Sequence, residues 1–164
     1  MIRAILACDD DGGVGKNGTI PWPKNSKDLA WFKKNTTNGT VIMGSKTWQD
    51  PLMPWPLPNR KNVLATSRKK DFPGADKYIE GNLCLEIKKL SDKNKGRDTW
   101  IIGGPNIIDQ TLKIVEEVYL SRISGTYDCD SFLSLSTIET LFEKTWTEKH
   151  ETVEFQVWKK RTKE

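Results

Sequence analysis

Apolar and polar residues follow two rhythms along the chain, one suited to buried strands and one to helices. Residues 2–8 (IRAILAC), 40–43 (TVIM), 62–66 (NVLAT) and 99–102 (TWII) are short apolar runs and predict buried strands. Residues 27–36 (KDLAWFKKNT) instead space Leu29, Ala30, Trp31 and Phe32 for a helix. Asn25 and Ser26 are N-cap types, Asp28 sits in the first turn, and Lys33 and Lys34 come late, so the charges suit a helix of about ten residues. Shorter helices are expected at 45–50, ended by Pro51, at 83–90, and at 106–112, where Pro105 suits a first turn. Residues 115–124 and 152–160 alternate in character and read as strands.

Between these elements lie two segments of a different kind. Residues 9–18 are polar and Gly-rich, a flexible loop whose glycines suit a lid. Residues 53–60 (MPWPLPNR) carry Pro54, Pro56 and Pro58 and make a rigid loop. Strand–helix alternation over the first two thirds implies parallel βαβ units, and the last third implies an antiparallel edge. No repeat or linker divides the chain, and 164 residues suit one domain.

Composition narrows the chemistry. Lys+Arg 26 against Asp+Glu 22 gives a net charge of +4, too small and too spread to call for nucleic acid. No apolar run is long enough for a membrane span, and the N-terminus lacks the pattern of a secretory signal. Cys8, Cys84 and Cys129 are few and far apart, which fits free thiols in a reducing cytoplasm. His150 is the only histidine, so histidine-based catalysis and His-rich metal sites have one residue to draw on; it reads as a surface residue, and no metal is expected.

Several motifs compete for a functional reading. Gly13-Val14-Gly15-Lys16-Asn17-Gly18 matches G-x-G-x-x-G, but Pro21-Trp22-Pro23 breaks the helix that a dinucleotide fingerprint needs. Gly103-Gly104-Pro105 runs from strand into helix, either as a tight turn or as a place where a ligand approaches the backbone. Ser45-Lys46-Thr47 after Gly44, and Thr66-Ser67-Arg68, put hydroxyls and cations just beyond two strands, as ordinary loops or as phosphate contacts. Asp28 either serves the helix dipole or enters an apolar pocket with a perturbed pKa.

Taken together, IPW at 20–22, DLAWFK at 28–33 with Asn35-Thr36, VIMG-x-x-TW at 41–48, PLPNRKN at 56–62, TSR at 66–68 and IIGG at 101–104 resemble the dihydrofolate reductases. The order and spacing match over essentially the whole chain. The resemblance implies a three-layer α/β/α fold around an eight-stranded, mostly parallel twisted sheet with an antiparallel C-terminal strand. It implies NADPH-dependent reduction of 7,8-dihydrofolate, antifolates as inhibitors, a monomer, and no membrane or nucleic-acid partner. Asp28 would pair with the pterin's amino group and N3, Trp22 would help hold a water, and Ser121 would take the place of the usual Thr that bonds the carboxylate. Ile5, Leu6, Ala7, Phe32 and Leu57 would line the substrate pocket with Ile102 beside them, and Arg60 would take the glutamate tail. Ala7, Gly15, Ile20, Ile102, Gly103, Gly104, Asn106 and Ile107 would border the cofactor. Gly44, Ser45, Lys46 and Thr47 would grip its phosphates, and Thr66, Ser67 and Arg68 its 2′-phosphate end. Ile108 stands where an aromatic often follows the glycine pair, and Ser45 where a cation is usual. Cis peptides at Trp55-Pro56 and Gly103-Gly104 are family features. A pterin or pyrimidine reductase is the rival enzyme, and a basic binding module the rival from another class.

Overall fold

The computed structural model describes residues 1–51 and 55–162. Its strands are β1 (Ile2–Cys8), β2 (Gly13–Gly15), β3 (Thr40–Gly44), β4 (Lys61–Ala65), β5 (Lys77–Ile79), β6 (Thr99–Gly103), β7 (Glu117–Ile123), β8 (Ser131–Phe132), β9 (Phe142–Lys149) and β10 (Val153–Lys160). The helices are α1 (Ser26–Thr36), α2 (Ser45–Trp48), α3 (Leu83–Lys93), α4 (Pro105–Thr111) and α5 (Leu135–Leu141). Eight strands form one sheet in the order β5-β4-β3-β6-β1-β7-β10-β9, and β2 pairs with β8 separately. Every pairing from β5 to β7 is parallel; β10 runs antiparallel to both β7 and β9.

Strand periodicity divides the core into two faces. Ile42, Val63, Ile101 and Leu120 pack with Ile87 and Leu90 of α3, Ile108 of α4 and Ile138 of α5. The alternate residues Val41, Met43, Leu64 and Trp100 pack on the opposite face with Trp31 and Phe32 of α1. Full burial of one such side chain contributes about 1.5–3 kcal/mol, so the two faces together commit the chain to three layers.

Topology positions the cleft. The chain leaves β1 through α1 toward β3, and leaves β6 through α4 toward β7, so the two connections run to opposite sheet faces and opposite directions. In an open α/β sheet such a divergence at the carboxyl ends of adjacent strands makes the ligand crevice.

The structure corrects several expectations. Residues 9–18 are not a free loop: β2 pairs with β8, and Lys16 and Thr19 close a tight turn through N–H···O bonds of 2.8 and 3.1 Å. Asn17 and Gly18 both have positive φ (51° and 78°), the type I′ geometry that Asn-Gly favours. β5, α5 and β9 were not anticipated. α5 (LSTIETL) buries only Ile138, so its spacing of Leu135, Ile138 and Leu141 is brief, and seven of the eight residues of β9 (FEKTWTEK) are exposed, so it carries little apolar alternation. Leu29, expected on the apolar side of α1, is 40% exposed, and α1 buries fully only Thr36. No helix among the described residues is long and apolar enough to cross a membrane.

Candidate active site

Sheet register brings Ala7 of β1, Ser121 of β7 and Phe155 of β10 side by side on the α1 face. The Asn25 side chain accepts from the Asp28 N–H at 3.0 Å and so fixes the helix start. The half-buried Asp28 side chain faces the sheet near Ser121, whose hydroxyl favours the ionised carboxylate. Burial pushes the Asp28 carboxyl above its ordinary value, and the Ser121 hydroxyl offsets part of that rise. Trp22 is buried beside Ala7, Ile123, Val153 and Phe155, and meets Tyr127 edge-on at 6.0 Å.

Ile5, Phe32, Leu57 and Ile102 meet in one apolar cluster on the same face. Leu6 does not join them: a strand alternates its side chains, so Leu6 packs on the opposite face with the cluster of Leu120 and Ile108. Its backbone remains between Ile5 and Ala7 at the cleft.

Arg60 is held over this cluster from three sides. Its Nε donates to the Pro58 carbonyl at 2.9 Å, an Nη donates to the Thr36 hydroxyl at 3.1 Å, and the guanidinium lies 5.9 Å from the Phe32 ring centre. Partial burial pulls the guanidinium below its ordinary pKa, though it stays charged. Buried Asn62 shapes the loop beneath. Its Oδ1 accepts from the Leu57 N–H at 2.8 Å, and its Nδ2 donates to the Leu57 and Arg60 carbonyls at 3.0 and 3.1 Å. The cis Trp55-Pro56 peptide precedes this loop.

The expected phosphate-binding motifs converge at neighbouring strand ends. Gly44 of β3 is in register with Ala65 of β4, and Met43 with Gly103 of β6, so residues 44–47, 66–68 and 103–107 emerge together. A Cβ on Gly44 would lie 2.7 Å from Cδ1 of Ile107, and Cβ atoms on Gly103 and Gly104 would lie 3.4 and 3.8 Å from Oγ1 of Thr47. The Gly103-Gly104 peptide is cis. Ser45 is half-buried, whereas Lys46 and Asn106 are exposed at the starts of α2 and α4. The Thr66 hydroxyl accepts from the Arg68 N–H at 3.0 Å, and Ser67 is exposed. The Arg68 side chain is 69% exposed and only 3.7 Å from Asp71, a pair too solvated to hold it. Gly15 ends β2 half-buried, and Ile20, 37% exposed, follows the 17–18 turn; no helix follows the glycines, as the Pro21-Trp22-Pro23 block requires.

Other polar groups stand apart. His150 bonds Glu148 at 2.9 Å in the β9–β10 hairpin, and all three cysteines are free. Among the described residues no cluster of three His, Cys, Asp or Glu could hold a metal. Sequence reasoning did not single out Thr36, Asn62 or Asp9. A polar residue beginning a buried strand, as Asn62 does, is a readable signal of a loop clamp; Thr36 and Asp9 carry none without the fold.

The arrangement therefore puts a half-buried carboxylate on the sheet face that carries the apolar cluster, an arginine against that cluster, and glycines with cations beside them at neighbouring strand ends. Known proteins resemble this one at the level of whole chains. The family model described as dihydrofolate reductase matches residues 1–161. A putative dihydrofolate reductase of Caenorhabditis elegans is 34% identical over 146 residues, covering 80% of this chain and 76% of that protein. The dihydrofolate reductase type 8 of Escherichia coli is 27% identical and spans 98% of this chain and 96% of its own. Among solved structures, the dihydrofolate reductase of Enterococcus faecalis, complexed with NADP(H) and RAB-propyl, superposes with a TM-score of 0.77 at 23% identity, covering 99% of this chain and 97% of that one. The family-model match over residues 1–161, with a relative 34% identical over 80% of the chain, places the chain in the dihydrofolate reductase family.

Proposed function

We propose that the chain reduces 7,8-dihydrofolate to 5,6,7,8-tetrahydrofolate with NADPH, as one catalytic domain over 1–164, in support of thymidylate and one-carbon metabolism. The observation that carries this reading is the half-buried Asp28 carboxylate, set beside Ser121 on the α1 face of the sheet that also carries the apolar cluster of Ile5, Phe32, Leu57 and Ile102. A carboxylate there accepts two parallel N–H bonds from the pterin's amino group and N3. Its charge favours the N5-protonated pterin, and a water held beside Asp28 and Trp22 delivers that proton. Arg60, oriented by Thr36 and Pro58, takes the α-carboxylate of the glutamate tail as a forked pair. Ile5, Phe32, Leu57 and the Ala7 backbone exclude water around the ring.

The residues at the strand ends fit a dinucleotide phosphate. Gly44 lets Ile107 pack against the strand end where a Cβ would clash, Gly103 holds a positive φ of 134°, and among the described residues Lys46 and Arg68 offer cations with no tight ion-pair partner. Ser45, Lys46 and Thr47 would hold the bridging phosphates, and Thr66, Ser67 and Arg68 the 2′-phosphate; Ala7, Gly15, Ile20, Ile102, Asn106 and Ile107 would border the rest. Bound NADPH supplies the hydride, from nicotinamide C4 to pterin C6. Antifolates would compete for the Asp28 site. We read the protein as a cytoplasmic monomer without membrane or nucleic-acid partners.

Loss of NADPH absorbance on adding dihydrofolate tests the reading. Turnover that an antifolate abolishes is expected; no turnover with dihydrofolate, alongside turnover with a pyrimidine or an unconjugated pterin, refutes it. Arg60 favours folate over those rivals because neither brings a carboxylate for it to bind.

A further inference from the structure

Asp9 is a carboxylate only 1% exposed, and its two oxygens serve two different loops. Oδ1 accepts from the N–H groups of Asp11 and Gly13 at 2.9 and 2.8 Å. Oδ2 accepts from the Tyr127 N–H at 3.1 Å and from the Cys129 thiol at 3.5 Å. These neutral donors hold it ionised, against the cost of burial. The loops are in close contact as well, because a Cβ on Gly13 would lie 2.5 Å from the Cys129 sulfur.

The outer turn of the same hairpin is tied less deeply. Asp130 bonds Gly15 and Asn17 across the gap at 2.9 Å each, and Lys16 pairs with Asp128 at 3.2 Å, all at or near the surface. Asp10 joins Gly125 through two bonds of 2.9 Å. Asp9 lies inside these ties, at the point where β1 leaves the sheet and the hairpin begins.

We propose that Asp9 is a positioning residue for the reduction proposed above: it clamps the 9–13 turn to residues 127–129 and thereby sets where Gly15, Ile20 and Trp22 stand over the site. The inference rests on that functional reading, and Asp9 touches neither substrate nor cofactor. Its divided oxygens make it separable from a mere turn former. In Asp9→Asn one amide oxygen still serves Asp11 and Gly13, while the NH2 group faces the Tyr127 N–H, donor against donor.

The test is amide hydrogen exchange and steady-state kinetics on the full chain carrying Asp9→Asn. Exchange over 14–20 should quicken about tenfold while amides of α1 and β3 stay within about twofold of the parent. Per folded molecule, KM for NADPH should rise and kcat should fall by about three- to tenfold, with KM for dihydrofolate within about twofold, since Asp28 and Arg60 sit on other elements. Uniform acceleration of exchange, or unchanged kcat and KM with only a lower Tm, would reduce Asp9 to a structural residue and overturn the proposal. If Asp9→Asn does not fold, Asp9→Ser, which keeps an acceptor for the turn but cannot span the gap, takes the same two measurements, and the same outcomes support or overturn the clamp. The exchange result is independent of turnover, so a chain inactive on dihydrofolate refutes the functional reading without touching the clamp.

Discussion

Ser121 of β7 and Asp28, in the first turn of α1, meet across the face of the sheet, close enough for the Ser121 hydroxyl to lower the Asp28 pKa. That interaction works against the desolvation that raises the Asp28 pKa.

Asp28→Asn should keep the fold and cut turnover at neutral pH by about 10²- to 10⁴-fold, least at low pH where substrate is already protonated. Stability should move the other way. A carboxyl whose folded pKa is raised above the unfolded value of about 3.9 contributes stability below that value and loses it as pH rises through the folded pKa. Thermal melts should therefore show Asp28→Asn gaining on the parent as pH rises through that window and keeping a constant lead above it. Equal Tm differences at pH 3 and pH 7 would contradict the assignment.

Ser121→Ala should raise the Asp28 pKa further, because the hydroxyl it removes lowers it. The acidic limb of the pH–rate profile should shift upward, and activity at neutral pH should fall about two- to tenfold, matching one hydrogen bond of about 0.5–1.5 kcal/mol. Ser121→Thr keeps the hydroxyl and should restore the limb.

Arg60→Lys should raise KM for dihydrofolate about 10- to 100-fold with kcat little changed, since a forked donor becomes a point charge. A pterin substrate without the glutamate tail should not distinguish the variant from the parent. Equal losses on both substrates would assign Arg60 to loop structure through its Pro58 and Thr36 bonds.

Arg68→Ala should weaken NADPH about tenfold or more and leave NADH nearly unchanged, because the exposed side chain is held only by a 3.7 Å pair with Asp71 and a contact over the Phe72 ring at 5.7 Å. Stability should stay within about 0.5 kcal/mol of the parent, as for most surface substitutions. Parallel losses on both cofactors would move the 2′-phosphate contact elsewhere.

The parts of this site that lie in continuous, strongly patterned segments were legible. The cap at Asn25, the apolar runs that became β1, β3, β4 and β6, and the small and cationic residues just past their ends all declare themselves locally. What the pattern could not supply was register. Ala7, Ser121 and Phe155 become neighbours only once β1, β7 and β10 are ordered, and the same alternation turns Leu6 away. β9 and α5 escaped because their contacts are made by a few residues on otherwise solvated elements. Asn62 and Thr36 were hidden for a related reason, since each acts through partners brought in by the fold.

The strand order carries a consequence for how the chain is made. β1 is the first of these strands out of the ribosome and lies in the interior of the sheet, paired with Thr99–Ile101 on one side and with residues 117–122 on the other. Loop-closure entropy for both pairings is lost before either gives a contact, so the chain combines a small size with high contact order. During synthesis the apolar IRAILAC segment has both hydrogen-bonding edges open until residues 99–101 have emerged, and one edge open until residues 117–122 follow. Completion of the sheet thereby waits for the last third of the chain, and until β7 emerges the nascent protein presents an unpaired apolar edge open to misassociation.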